Sequence, residues 1–547
     1  MSSIVLDIET TTDHATIWLV CCEDLEKDRR WSFVEPEGLQ QLIDSYDYVI
    51  GHNIIGFDAP VLAKVWDVAI PKEKLQDTMI MSRLYNPELK HSLAVWGTKL
   101  GFPKGDFTDY DGGLCPEMVK YCEQDVNITK KLHKHLKDTM QSEGFDKASI
   151  ELEHEVAIIT HQQEENGFAF DSQAATELYV TVVSRMNDIK TTLQATFPPI
   201  VTERISEKTG KRLKDDVEEF NIGSRQQIAK RLESLGAKFT KKTEKGSIVI
   251  DESSLASVDL PEAKLCAEYL MLQKREGLLN GWFKHCGEDG RLHGRVITNG
   301  AVTGRMTHHS PNLAQIPSTS APYGEQCRAC FTVDEGNVLV GIDASGLELR
   351  MLAHYMRDND YTKEILEGDV HTANMKAAGL TDRNQAKTFI YAFLYGAGPA
   401  KIGEIVGGGY KEGKQLIEQF LENTPAIQLL RDKVDRHCSG GVLKGLDGRQ
   451  IRVRSPHAAL NTLLQGAGAI VMKKALVILT EKLEADTIPY KLVANVHDEW
   501  QIETPQDYED IVGACGVAAI KEAGEALQMR CPLDGEYKIG ANWSETH

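Results

Sequence analysis

The chain of 547 residues has no run of about 18 uninterrupted apolar residues, the length a membrane-spanning helix needs, so no membrane span is expected. Its first residues, MSSIVLDIETTT, lack the basic start of a secretory signal and meet an acid already at Asp7. Cysteines are few, scattered and odd in number, eleven in all. That speaks against a disulfide framework and for reduced thiols in a cytosol-like compartment. The one Cys-x-x-Cys, Cys327-Arg-Ala-Cys330, has no second pair at zinc-finger spacing and is not read as a zinc site. No internal repeat or low-complexity tract stands out. Basic charge is in deficit: 61 Lys and Arg against 81 Asp and Glu give a net charge of −20. This does not exclude nucleic acid, because binding needs a local basic surface rather than a basic total. Two stretches qualify, Lys208, Lys211, Arg212, Lys214 and Lys238, Lys241, Lys242, Lys245. They fit a solvated loop face as well as phosphate contact.

What is present is ordinary for a globular chain, 41% hydrophobic and 26% charged. At roughly 150 residues per domain the length suggests about three or four domains. Residues 1–142 alternate strand-like and helix-like stretches, the pattern of an α/β unit. Residues 143–290 read as mostly helical, with a polar Gly- and Lys-containing segment at 203–247. Strand-and-turn structure restarts at DGRLHGRVITNGAVTGRM (289–306), and strands and helices mix from there to 547.

Acids recur in the first unit in three places. Asp7 and Glu9 stand two apart in LDIET, so on a strand they share a face. Asp58 ends Asn53-Ile-Ile-Gly-Phe57-Asp58. Tyr121 and Asp125 stand four apart in a helix-like segment and share a face there. Four carboxylates and a tyrosine suggest two divalent ions about 3.5–4 Å apart, which clamp the attacking and leaving oxygens of a phosphodiester. Magnesium prefers such hard oxygen ligands. Asp-x-Glu alone is equally a surface strand; three segments in this order and context are far more specific.

The second half carries its own set. In GNVLVGIDASGLELRMLAHYM (336–356) an apolar strand ends in Asp343, and a helix follows with Glu348 and Arg350 in its early turns. In VANVHDEW (493–500) the pattern is a β-hairpin whose tight turn carries Asp498 and Glu499 side by side. Like charges held together and desolvated are costly. Convergence with Asp343 on divalent cations would offset that repulsion. In DRNQAKTFIYAFLYGAG (382–398), Arg383, Lys387, Tyr391 and Tyr395 recur every four residues and form one helical stripe, with Phe389, Ile390, Phe393 and Leu394 on the apolar side. The stripe suits a triphosphate and a base; an exposed charged face is the alternative.

Taken together, the N-terminal acids resemble the tyrosine subtype of DEDD 3′–5′ proofreading exonucleases. Asp343 to Arg350, Arg383 to Gly396 and His497-Asp498-Glu499 resemble motifs A, B and C of family A DNA polymerases, the DNA polymerase I class. TGRMTHHSPNLAQIPS (303–318), SPHAALNTLLQGAGA (455–469) and the ending GANWSETH extend the likeness, which is strongest to replicative polymerases of short-tailed bacteriophages and weakest at 195–290. The resemblance implies a ribonuclease H-like exonuclease domain (1–142), then a right hand: a thumb (143–290) and a palm with inserted fingers (291–547, fingers about 357–440). It implies metal ligation by Asp7, Glu9, Asp58 and Asp125, with Tyr121 orienting water. In the polymerase it implies ligation by Asp343, Asp498 and the Ala344 carbonyl, with Glu499 near the primer end. Arg383, Lys387 and His371 would meet the triphosphate, Tyr391 the sugar, Glu348 beside it the space of a 2′-hydroxyl, and Tyr395 the template base. Arg305, Gln315, Gln465, His497 and His457 would contact DNA. Implied cofactors are two Mg2+ at each site, with Mn2+ able to substitute. Implied partners are primer-template DNA and dNTPs, with phage helicase/primase and single-strand binding protein as further candidates. No separate 5′-nuclease domain is expected. The thumb reads as too short to hold a long insertion for a host processivity factor. The rivals are a DEDD exonuclease with a decayed polymerase body and a non-catalytic DNA-binding subunit; neither needs both carboxylate sets intact.

Overall fold

Strand periodicity builds the first sheet. In Ser3–Thr10, Ile4, Leu6 and Ile8 face one apolar cluster, while Val5 faces another together with the acids. The computed structural model describes residues 2–206, 208–239, 241–242 and 246–547; Lys245 lies outside them. The sheet has five strands in the order Arg30–Phe33, Ile17–Asp24, Ser3–Thr10, Tyr48–Gly51, Leu75–Asp77. The first three pair antiparallel and the last two join in parallel. The helix Pro116–Ser142 starts with proline in its first turn, where no N–H is missed. It lays Cys122 and Val126 against Val5, Leu19 and Ile50.

The helix Lys147–Asn166 departs from the expected division, which put it in a thumb beginning at 143. It packs between the N-terminal unit and the C-terminal body: Ala157 joins the core of the first sheet, and Leu152 and Val156 join Ile470 and Val477. Its polar residues have partners on both sides, so it is an internal strut. The remaining helical region is narrower. It consists of Ser172–Thr196, capped by the Asp171 carboxylate, packed on Pro261–His285. Between them stands a two-stranded ribbon, Ile200–Thr202 with Asp216–Glu218. Of the basic residues here, Arg212 pairs with Asp215 at 3.1 Å and Lys241 with Asp251 at 2.7 Å, so part of the lysine-rich surface is neutralised by its own segment.

The C-terminal sheet has four antiparallel strands in the order Lys491–Val496, Glu499–Pro505, Asn337–Ala344, Gly535–Gly540. The helices Ala459–Ala485 and Glu509–Ala526 pack on each other, and the second covers the sheet. Phe389, Phe393 and Phe420 seal the helical subdomain inserted after Leu347–Met356. Among the described residues one helix, Pro456–Ala485, is long and apolar enough to cross a membrane, but 78% of its apolar window is buried inside the protein. All eleven cysteines are free, and Cys327 and Cys330 lie buried in an apolar cluster.

Candidate active sites

Asp343 is the penultimate residue of its strand, and the neighbouring Ala344 N–H donates to the Asp498 carbonyl at 3.0 Å. The strand end and the hairpin turn are therefore directly joined. The turn forces His497 to a left-handed φ of 57°. Burial, then the charge of Asp498, pushes the Asp343 carboxyl up to about 7. Burial, then Glu348, pushes Asp498 up to about 6. A cavity of about 30 Å³ beside Asp498 is lined by Arg305, Glu348, Lys473, His497 and Asp498.

Glu499 corrects the expectation of an acidic pair sharing the turn. It begins the strand Glu499–Pro505, opposite Val496 and Asp343, and its side chain is buried among donors. Trp543 Nε1 donates to it at 2.5 Å, Gln501 Nε2 at 2.6 Å, and His547 Nδ1 lies at 2.9 Å. Burial alone would raise this carboxyl; the His547 contact, Arg328 and Trp543 bring it below its usual value. Its charge is thus offset by protein donors and the Arg328 guanidinium. Trp543 and His547 stand in the ending GANWSETH, but no local pattern ties them or Arg328 to Glu499, because they arrive from distant parts of the chain.

The Arg383–Leu394 helix, capped by Asp382 through the Gln385 N–H, presents the expected stripe. Tyr391 and Tyr395 stack with centroids 6.4 Å apart, and the His371 ring lies 6.1 Å from Tyr391. Burial, then the charges of Glu348, Asp498 and Asp343, pushes the Tyr391 phenol up to about 12. Lys387 is exposed, with no carboxylate partner among the described residues. Two expectations are modified. Arg383 is held by Asp369 through two hydrogen bonds, of 2.6 and 3.0 Å, so it must leave that carboxylate to reach a phosphate. Glu348 accepts from the Tyr395 hydroxyl at 2.8 Å, with Arg305 at 3.5 Å; its hydrogen-bond partner is Tyr395 and not Tyr391.

Arg305 and His497 therefore reach the cleft. Gln465 is half-buried on the Ala459–Ala485 helix, one turn before the cavity-lining Ala469. Gln315 and His457 are exposed in short 3-10 turns and touch none of the acids.

The N-terminal acids converge on a second cavity, of about 430 Å³, lined by Asp7, Glu9, Asp58, Tyr121 and Asp125. Two residues absent from the sequence reading complete it. Lys104 forms an ion pair with Asp125 and sits 4.6 Å over the Tyr121 ring. The Tyr110 and Tyr121 hydroxyls lie 3.3 Å apart. Both newcomers come from an irregular loop without periodicity. Burial, then Asp58, Asp125 and Glu9, raises Asp7 well above the carboxylate range. Burial, then Asp125, pushes Glu9 up to about 8. Burial also raises Asp58 and Asp125, with Lys104 opposing the rise at Asp125. Buried Asp125 Oδ1 has no hydrogen-bond partner. Carboxylates that repel one another, supply only oxygen donors and leave an orphaned oxygen fit a divalent cation at this cleft. The raised Asp343 and Asp498 fit one at the other.

The fold is that of a nucleic acid polymerase domain. Over 100% of this chain and 96% of the other, it is similar to the POL domain of Pol1 from M. smegmatis, solved in complex with DNA primer-template and dNTP, with a TM-score of 0.83 at 18% identity. The profile of DNA polymerase family A matches residues 200–545, and the chain belongs to that family of template-directed DNA polymerases. The DNA-directed DNA polymerases of Enterobacteria phage T3 and Escherichia phage T7 are each 37% identical to it, covering 91% of this chain and 92% of their own length. DNA polymerase I of Aquifex aeolicus is 27% identical, covering 99% of this chain and 96% of its own. The alignment with the phage T3 enzyme is 651 residues long against 547 residues here, so that relative carries segments this chain lacks.

Proposed function

We propose that this chain extends the 3′ end of a DNA primer at the C-terminal cleft and removes 3′-terminal nucleotides at the N-terminal cleft, as proofreading replication of a phage genome requires. The observation that carries the reading is the junction of the Asp343 strand end with the Asp498 turn, where Asp498, Glu348 and Arg305 line one cavity. Asp343, Asp498 and the Ala344 carbonyl would hold two Mg2+, or Mn2+ in their place; Asp7, Glu9, Asp58 and Asp125 would hold two more. Such ions lower the pKa of an attacking hydroxyl or water and stabilise the leaving oxygen. Exposed Lys387, with His371 and a released Arg383, would draw the triphosphate by charge-assisted hydrogen bonds. Tyr391 would pack on the sugar, with Glu348 filling the room of a 2′-hydroxyl and Tyr395 bordering the template base. Arg305, Gln315, Gln465, His457 and His497 would follow the primer-template, through phosphates and minor-groove acceptors that are nearly degenerate among correct pairs. At the other cleft Tyr121, held by Lys104 and Tyr110, would orient the water.

In this reading the N-terminal unit is a ribonuclease H-like exonuclease, the helices around 172–285 are the thumb, and the remainder is palm with fingers at about 357–440. A thumb confined to these helices would be too short to hold a long insertion for a host processivity factor. Primer-template and dNTPs are the substrates, and phage helicase/primase and single-strand binding protein are candidate replisome partners. Purified protein given Mg2+, dNTPs and a recessed primer should extend it, and should degrade single-stranded DNA from its 3′ end. Degradation without extension would leave a dedicated exonuclease instead.

A further inference from the structure

The helix Lys147–Asn166 carries two buried polar residues side by side, Glu153 and His154, 0% and 7% exposed. Their partners lie in different halves of the molecule. Glu153 Oε1 accepts from Lys473 Nζ at 2.5 Å and from Arg449 Nη1 at 2.7 Å, and Arg449 is also held by Asp447 at 2.7 Å. Lys473 lines the same small cavity as Arg305, Glu348 and Asp498. The Arg449 guanidinium lies directly under Gly304, where an added Cβ would be 3.1 Å from Nη1. Gly304, with φ +75°, immediately precedes Arg305. The ion quartet therefore supports the turn that aims Arg305 and the helix that floors the polymerase cleft.

His154 works toward the other cleft. Its Nδ1 lies 2.7 Å from the Ile150 carbonyl, and its Nε2 accepts the Asp77 N–H at 2.7 Å. The first contact requires the proton on Nδ1, which leaves Nε2 as the acceptor. The Asp77 carboxylate in turn accepts the N–H groups of Asn53 at 2.9 Å and Ile55 at 3.2 Å. Those bonds shape the turn that delivers Asp58. One peptide bond thus separates the support of Arg305 from the support of Asp58. Stability alone does not call for this arrangement, because well-packed apolar residues replace a buried ion network at little or no cost.

We propose that Glu153 and His154 are positioning residues that lock the two clefts into one frame, so that a disturbance on the Glu153 side of the helix is felt at the Asn53–Asp58 turn. The functional meaning rests on the two-site reading above; the first measurement does not. In the full chain, Glu153→Gln with Lys473→Met removes one charge of each sign and leaves the Arg449–Asp447 pair. Amide hydrogen exchange of peptides spanning 50–58 should rise by about threefold or more, while the Ser3–Thr10 strand stays at its wild-type rate. His154→Leu should raise exchange at 50–58 and also at the Thr303–Met306 turn. His154→Gln, which restores an acceptor, should return both toward wild type. Single-strand 3′–5′ hydrolysis should fall by about threefold or more in the Glu153→Gln, Lys473→Met protein, although neither side chain borders the N-terminal cavity. Wild-type exchange at 50–58 in a folded double variant overturns the proposal. If that variant does not fold, wild-type exchange at 303–306 in His154→Leu overturns it equally. Raised exchange in a protein whose wild type hydrolyses no single strand would retain the shared frame and reject the exonuclease reading.

Discussion

In the N-terminal cleft a cation touches a candidate metal ligand: Lys104 pairs with Asp125, while Asp7, Glu9 and Asp58 stay crowded together. In the C-terminal cleft the basic side chains go to the other acids. Arg305 meets Glu348, and Arg328 and His547 meet Glu499. Asp343 and Asp498 form no ion pair among the described residues. Both clefts concentrate carboxylates away from water, which pushes their pKa values up. To take up a divalent ion through Asp125, the first would have to release that carboxylate from its lysine. The second keeps its two aspartates open and neutralises their neighbours instead. A site that holds its own counter-ion would compete with an incoming metal; a site whose counter-ions sit one residue away would not.

The largest expected effect would break the comparison at its root. Asp498→Ala should lower primer extension by about a thousandfold or more and leave single-strand hydrolysis nearly intact. Asp7→Ala with Glu9→Ala should do the reverse. Loss of both activities in either folded variant would mean that the clefts are not separate chemical sites. Next in size, Glu348→Ala should open the space beside the sugar and raise ribonucleotide incorporation relative to deoxyribonucleotide by about ten- to a hundredfold. Single-nucleotide kinetics would measure it, and an unchanged ratio would remove Glu348 from sugar selection.

Smaller effects sharpen the contrast. Lys104→Met should free Asp125 and lower the Mg2+ midpoint for single-strand hydrolysis by about three- to tenfold, with the midpoint for extension unmoved. A higher midpoint would show that Lys104 assists the site more than it competes there. The least effect concerns pH. Glu9 rises from 4.5 to about 8 and Asp343 from 3.8 to about 7 on folding. A carboxyl raised by folding contributes stability that is full below its unfolded pKa and is lost as pH climbs through the folded one. Metal-free protein should therefore melt lower, by about a few degrees, as pH rises from about 4 through about 8. Added Mg2+ should restore most at the upper end, where the ligands are deprotonated. A melting temperature that rises across this window would contradict the crowding of unpaired acids.

Much of this was legible before folding. Asp7 with Glu9 and Tyr121 with Asp125 obey the periods of two and of nearly four, which are properties of the local backbone. Asp343 at the end of an apolar strand and the stripe from Arg383 to Tyr395 follow the same rule. Less legible were Lys104 and Tyr110, from a loop without a period, and the donors that surround Glu499. The strut Lys147–Asn166 read as one helix among several, because periodicity shows that a helix has buried faces without saying what covers each.

The sequence by itself determined which side chains share a strand face or a helix face, and hence which acids could meet. Only the tertiary structure decided which of those acids stay unpaired. Asp343 meets the Asp498 turn across 154 intervening positions, and Glu499 meets Arg328 and His547 from both sides of the chain. Charge interactions depend on distance and burial, and neither can be read from order along the chain.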